Sequence, residues 1–363
     1  MPSLVSIIIP AYNAEKFLRD TIDSALAQTW PNKEIIIVDD GSSDGTLKIA
    51  KQFESKIVKV LTQKNRGAAY ARNAGLAVAQ GDFFQWLDAD DLLAPDKIRR
   101  QLVDDPDSDG EVVHTCRYAK FHRYPVAARK VENNLCRDLK PREWLLASLS
   151  RGTWQATATW LVGRKITELA GPWDERLVPG VNDDGEYFTR IISLSSGIKF
   201  HKLSLSFYRV GNAQSLSQVR SQQAWKSILL SVNLSIDHLF KLDNSESARK
   251  AALAFLQYTA EQYGVSDTQT WQSFLSRAGE LGGNLRFPAN TLRFRAARML
   301  IGQNAALRVR TLVARAKWAT SRQRERLFSL LAARSSNQDE PGPNLEEGFP
   351  LGVPCQRQQK KSL

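Results

Sequence analysis

The first 120 or so residues of this chain predict an open α/β sheet, mostly parallel and flanked by helices. Three observations lead there. Short apolar runs rich in β-branched and aromatic residues recur at 4–9, 34–40, 57–61, 82–87 and 111–116, and near-continuous runs of this kind suit parallel strands buried on both faces. Amphipathic, helix-like segments separate them, and strand–helix alternation is the signature of this architecture. Three of the runs end in polar clusters, IIIPAYN, IVDDGSSDGT and QWLDADD. In open α/β sheets, ligands bind outside the carboxyl ends of the strands.

Taken in order, LVSIII (4–9) opens the sheet. AEKFLRDTIDSALAQ follows as a helix with Phe17, Leu18, Ile22, Ala25 and Leu26 on one face, and Asn13 is positioned to cap it. EIIIVDD leads through a Gly/Ser/Asp turn into the helix TLKIAKQF, with Ser43 or Asp44 as its cap. IVKVL, the small-residue helix AAYARNAGLAVA, DFFQWL and EVVHTC complete this half. Beyond residue 120, 140–150 and 184–196 read as helices, and 153–162 and 198–210 as alternating strands. From about 215 onward helical signals take over. The expected organisation is one α/β domain over 1–215, divided at 118/119, then a helical, basic region over 216–334 and a disordered tail over 335–363.

Composition narrows the function classes. A chain of 363 residues with 42% apolar and 24% charged residues is long enough to bury a real core. Its three cysteines are scattered, with no CxxC pair, which fits a reducing compartment and argues against a zinc site. There is no signal-peptide pattern and no uninterrupted apolar stretch of about 18 residues. The expectation is a cytoplasmic protein. The net charge of +12 is concentrated, because residues 286–334 alone carry twelve Lys/Arg against the single acid Glu325.

The polar clusters carry the chemistry. In DDGSSDGT the Gly, Ser and Asp residues supply turn geometry, which leaves the adjacent acids Asp39 and Asp40 unexplained. The G-x-G-x-x-G of a dinucleotide loop is absent. NRGAAYARNAG places Arg66 and Arg72 near the acids in sequence, and a guanidinium beside carboxylates on a ligand rim suits a phosphate ester. In DADD, Asp88 and Asp90 point the same way if the backbone stays extended. Mg²⁺ or Mn²⁺ takes hard oxygen ligands of this kind, one or two carboxylates completed by diphosphate oxygens. An acidic turn entering a helix accounts for the same residues, with Asp91 at the helix start.

SIIIPAYNAEKFLRDTIDSALAQTW, EIIIVDDGSSDGT, NRGAAYARNAGL and FFQWLDADD, in this order, resemble the nucleotide-binding half of the family 2 glycosyltransferases of the GT-A fold. The resemblance covers residues 4–100 nearly without gaps. It implies that Pro10, Ala11 and Tyr12 line the nucleotide pocket, that Asp39 reads the base, and that Arg72 contacts base or diphosphate. It also implies that Asp88 faces ribose or phosphate and that Asp90 ligates Mg²⁺ or Mn²⁺. In 160–191 the segment ending NDDGEYFTRI looks like the family's Glu-Asp pair opening a helix. Here the pair is Asp183-Asp184, so its first position departs from the usual Glu. Asp184 is then the general base of an inverting transfer. FYRVGNAQSLS resembles the stretch that closes such a domain, with Arg209 toward the diphosphate.

The function implied is transfer of a sugar from a nucleotide-sugar donor, UDP-linked by expectation, to a saccharide or lipid-linked acceptor. Absence of a Q-x-x-R-W pattern implies one sugar per encounter. A sugar-phosphate nucleotidyltransferase is the rival enzyme class and wants a Gly-rich triphosphate loop, which IIIPAYNAEKF is not. A non-catalytic nucleotide-binding regulator is the other rival. The basic stretch 286–334 has Arg interleaved with Leu, Met, Phe and Trp, which suits peripheral binding to an anionic membrane surface. No nucleic-acid module accompanies it.

Overall fold

The computed structural model describes residues 2–103, 110–178, 181–212, 219, 221–263 and 268–286. The first half follows the expected order: β1 (Val5–Ala11), α1 (Leu18–Leu26), β2 (Lys33–Asp39), α2 (Thr46–Lys51), β3 (Val58–Thr62), α3 (Ala68–Val78) and β4 (Phe83–Trp86). The second half holds β5 (Leu92–Leu93), α4 (Lys97–Val103), β6 (Val112–Phe121), β7 (Arg129–Val131), α5 (Pro141–Leu149), β8 (Leu161–Gly163), α6 (Arg164–Ala170), α7 (Asp183–Leu194) and β9 (Gly197–Arg209). Three helices close the described chain: α8 (Gln222–Leu242), α9 (Glu246–Tyr263) and α10 (Thr268–Glu280).

All nine strands form one sheet in the order β3-β2-β1-β4-β8-β6-β9-β5, with β7 paired to β6 off this path. The pairs β3/β2, β2/β1, β1/β4 and β6/β9 are parallel. β8 runs antiparallel to both β4 and β6, and β5 antiparallel to β9. The expectation of a mostly parallel sheet therefore holds for the first half, and the second half is mixed.

The unbroken apolar strands have a simple cause. Val5, Ile7, Ile9, Ile35 and Ile37 face one core with Leu18 and Ile22 of α1. Ile8, Ile36, Val38, Phe84 and Trp86 face a second core built with α5, α7, α8 and α9. Because side chains alternate across a strand, covering both faces favours apolar residues at nearly every position, and the buried Ser6 and Gln85 are hydrogen-bonded exceptions. Each fully buried Ile contributes about 1.5–3 kcal/mol.

Three local expectations are corrected. Asn13 does not cap α1, which starts at Leu18. Asn13 takes a left-handed backbone (φ 48°), and its Oδ1 accepts the Ser43 N–H at 2.9 Å, tying the end of β1 to the β2–α2 loop. Residues 153–162 are not a half-exposed strand. Gln155, Thr157 and Thr159 are buried, as are Ala156, Ala158 and Trp160. A 3-10 turn occupies Thr157–Thr159, where the Thr159 hydroxyl donates to the Ala156 carbonyl at 2.7 Å. The Thr159 hydroxyl serves local backbone and the Thr157 hydroxyl reaches Asp184 instead of water, so polar–apolar alternation misleads here. Asp91 does not open a helix, since α4 begins only at Lys97.

The helical C-terminal region is present as α8–α10 and packs on α5 and α7. Among the described residues no helix is long and apolar enough to cross a membrane. The basic stretch 286–334, apart from Arg286, and the tail 335–363 lie outside the described residues.

The loop after α5 is seated on this region. Gly152 has φ +59°, and a Cβ there would lie 2.3 Å from the Tyr258 ring of α9. Gly152→Ala combines a disfavoured backbone with that clash, so a destabilisation of more than about 1 kcal/mol is expected. A fall in the urea midpoint at unchanged slope checks it.

Candidate active site at the strand ends

The carboxyl ends of β1, β2 and β4 lie side by side, as Ala11 pairs with Asp39 and Ile8 with Trp86 in the ladders. Pro10 is partly buried, Ala11 is buried, and Tyr12 is 51% exposed, offering a ring at the rim. The two acids after β2 divide their work. Asp40 is a brace: its carboxylate accepts Gln63 Nε2 at 2.7 Å, the Arg66 N–H at 3.0 Å and the Gly67 N–H at 2.8 Å. It thereby fixes the β3–α3 loop against β2. Asp39 is buried, and its Oδ2 accepts the Ser42 N–H at 3.2 Å. Its Oδ1 is buried with no hydrogen-bond donor among the described residues. A buried acceptor of this kind costs free energy until a donor reaches it, which is the requirement a base N–H would meet. Gly41 allows the two loops to meet, since at φ +71° a Cβ would sit 2.7 Å from the Asn65 nitrogen.

The DADD segment turns rather than staying extended, with the Asp91 N–H donating to the Asp88 carbonyl at 3.0 Å. Asp91 is fully buried, and its Oδ1 accepts the Arg209 N–H at 2.8 Å. Arg209 returns the contact: its Nε donates to the Asp90 carbonyl at 2.7 Å and its Nη1 to the His122 carbonyl at 3.1 Å. Its guanidinium lies over Phe17 and Phe121 at 4.7 and 4.4 Å. The end of β9 thus clamps the acidic turn. Asn212 Nδ2 donates to Asp90 Oδ2 at 3.2 Å.

Burial and then the neighbouring Asp88 charge hold the Asp90 carboxyl above its ordinary range. Burial, Asp90 and Asp88 do the same more strongly to Asp91. Three acids crowded in low dielectric are a site that favours a cation. Among the described residues no three His, Cys, Asp or Glu side chains group as a metal cage. A turn of this kind would suit a divalent ion that takes one carboxylate from the protein and most of its oxygens from a bound ligand.

The two halves meet at Arg72. Its Nη2 donates to Asp88 Oδ1 at 2.9 Å and its Nη1 to Asp183 Oδ2 at 2.7 Å, across 111 residues of sequence. The guanidinium lies 4.3 Å from the Trp173 ring centre, and Trp173 stacks on Tyr187 at 4.0 Å. Arg72 is only 5% exposed, so both its Nη atoms serve carboxylates of the protein.

Asp183 and Asp184 open α7. Asp184 is half-buried, accepting the Gly185 N–H at 2.9 Å and the Thr157 hydroxyl at 3.4 Å. Burial raises both acids, while Arg72 pulls both back down. The α7 start is held from behind by α8. Asn182, at φ 65°, donates from Nδ2 to Ser231 Oγ at 2.8 Å, and the Ser231 hydroxyl donates to the Asn182 carbonyl at 2.7 Å. His238 Nε2 meets Glu186 Oε1 at 3.2 Å in the next turn.

Pro10, Ala11, Tyr12, Asp39, Asp88, Asp90 and Asp184 thus come to one rim, and Arg72 sits beneath it as a brace. Sequence reasoning assigned no role to Trp173, Thr157, Asn212 or Ser231. They act through contacts 27 to 122 residues away, for which a local pattern holds no signal.

Residues 6–143 match the family model for glycosyl transferase family 2. That segment is similar to the family. The glycosyltransferase segment is 48% identical over 99 residues to an uncharacterised glycosyltransferase of Rickettsia typhi, covering 27% of this chain and 31% of that protein. It is 47% identical over 102 residues to the putative teichuronic acid biosynthesis glycosyltransferase TuaG of Bacillus subtilis, covering 27% and 40%. The chain thus spans well under half the length of these curated relatives. The likeness in fold extends further: S. aureus TarS 1–349 in complex with UDP-GlcNAc superposes with a TM-score of 0.58 over 76% of this chain and 81% of that one, at 18% identity. That likeness is one of fold, GT-A in type, with the sheet followed by helices.

Proposed function

We propose that the chain transfers a sugar from a nucleotide-diphosphate donor, most directly a UDP-sugar, to a hydroxyl of a saccharide or lipid-linked acceptor, with inversion and one sugar per encounter. The Arg72 bridge carries this reading, because it brings the strand-end acids and the start of α7 into one site. The order of motifs in the family segment and the UDP-GlcNAc bound by TarS support the donor class. A lipid-linked acceptor also fits the basic stretch 286–334 as a cytoplasmic, membrane-surface element.

In this reading Tyr12, Pro10 and Ala11 wall the base, and Asp39 Oδ1 accepts its N–H. Arg72 holds Asp88 toward the ribose and diphosphate. Asp90 would hold Mg²⁺ or Mn²⁺, which when bound supplies charge neutralisation to the leaving diphosphate. Asp184 accepts the acceptor's hydroxyl proton as that oxygen bonds to the anomeric carbon from the face opposite the departing diphosphate. The glycosidic C–O bond forms, the bond from the anomeric carbon to the phosphate oxygen breaks, and the nucleoside diphosphate leaves.

The test is a panel of nucleotide sugars assayed with Mg²⁺ and with Mn²⁺, on the full chain and on Asp90→Asn. Loss of metal-dependent turnover in Asp90→Asn is expected. The same substitution removes one of three crowded charges, so its metal-free Tm should rise and its metal-induced Tm gain should vanish. Full metal-dependent transfer by Asp90→Asn would sink the metal assignment.

A further inference from the structure

We propose that Trp154, Tyr208, Lys120 and Arg129 form a platform that binds an anionic saccharide beside the transfer site. It rests on the reading of Asp184 as the base, and it names the acceptor's chemistry.

Trp154 is a large ring left 38% exposed and held from two sides. It stacks on Tyr118 of β6 with centroids 5.6 Å apart, and meets Tyr208 of β9 edge-on at 5.5 Å. Its loop is rigid. The Ser148 hydroxyl donates to the Thr153 carbonyl at 2.6 Å, Thr153 Oγ1 donates to Asn134 Oδ1 at 3.0 Å, and Gly152 lies against Tyr258. A fixed, amphipathic ring presents an apolar face at little entropic cost, the property that lets aromatic side chains pack against pyranose C–H faces.

The position is adjacent to the chemistry. Trp154 is three residues before Thr157, whose hydroxyl reaches Asp184. The Tyr208 phenol is raised first by burial and then by the charges of Asp91, Asp184, Asp88 and Asp90, so it lies within electrostatic reach of all four acids. A saccharide lying across Trp154 is, in this proposal, the acceptor whose hydroxyl reaches Asp184.

Charge selects the ligand. Lys120 stands directly opposite Arg129 of β7 and in register with Tyr208 of β9, and Lys120 Nζ lies 5.5 Å from the Trp154 ring centre. Two cations facing each other across a ladder are destabilising. Arg117 on the same strand is paired with Glu132 at 2.8 Å, whereas neither Lys120 nor Arg129 has a carboxylate partner among the described residues. A carboxylate or phosphate on the acceptor supplies that counter-charge.

Calorimetric titration of the full chain with tetragalacturonate, maltotetraose monophosphate and neutral maltotetraose tests the platform, with UDP plus Mn²⁺ titrated in parallel. At least one anionic oligosaccharide should bind about tenfold or more tighter than maltotetraose. Which one binds tells carboxylate from phosphate. Trp154→Ala should weaken that binding about tenfold, and Trp154→Phe should keep most of it. Lys120→Gln with Arg129→Gln should erase the preference for the anion, with folding of each variant confirmed by Tm. Equal affinity for the neutral sugar, no anionic binding, or unchanged affinity in Trp154→Ala would overturn the platform. If UDP binds while no anionic sugar does, the platform alone fails. If UDP itself does not bind, the nucleotide-sugar reading beneath it fails.

Discussion

Asp184→Asn is expected to lower the rate of sugar transfer by about 10²–10⁴-fold, the usual loss when a positioned general base is removed, with UDP affinity retained. The amide keeps the shape, its oxygen accepts the Gly185 N–H and its NH2 donates to the Thr157 hydroxyl in place of accepting from it, but it has no basic lone pair for the acceptor proton. Rapid-quench transfer rates beside UDP titrations separate the two quantities, and normal transfer by Asp184→Asn would withdraw the base. The pH profile provides an independent check. Burial, the largest influence, raises the Asp184 carboxyl above its ordinary value. The active form is the deprotonated one, so the rate should fall as pH drops, with a midpoint above the ~3.9 of a free Asp.

Arg72→Met should produce the largest loss of stability. Arg72 and Asp183 are both nearly inaccessible and 2.7 Å apart. Removing the guanidinium leaves a buried carboxylate without its counter-charge, a change that costs about 3–5 kcal/mol. Asp88, with its side chain 31% exposed, is partly rescued by water and adds less. The variant also carries a functional signature. Arg72 lowers the Asp184 pKa, so its loss should move the acid limb of the rate profile to still higher pH. A destabilised variant whose acid limb stays in place would show that Arg72 braces the fold without tuning the base. Denaturant midpoints and pH–rate profiles on the same preparation distinguish these outcomes.

The legibility of the site varied with the range of the contacts that make it. The apolar runs at 4–9, 34–40, 57–61 and 82–87 became β1–β4 with their helices between them, because burial on both faces imprints nearly every position of such a strand. The stretch 153–162 misled, because its Thr159 and Thr157 hydroxyls bond to nearby backbone and to Asp184 instead of to water. The pair Asp39-Asp40 read as one feature. Only the neighbouring loop shows that Asp40 is fully hydrogen-bonded and structural while Asp39 keeps a buried, undonated oxygen. Asp91 looked like a helix start and is instead the anchor for the end of β9.

By itself the sequence determined the α/β class, the order of the first four strands and the family resemblance, and it singled out the strand-end acids as candidates, since all of these are written in local periodicity and motif order. The tertiary structure decided which acids meet. Arg72 reaches Asp183 across 111 residues and holds it beside Asp88, α8 holds the start of α7 through Ser231, and Trp154 is set beside Tyr208 by a loop seated on α9. These are electrostatic and packing contacts between segments distant in sequence. Their strength depends on burial and on ångström-scale separation, and neither quantity exists until the chain has folded.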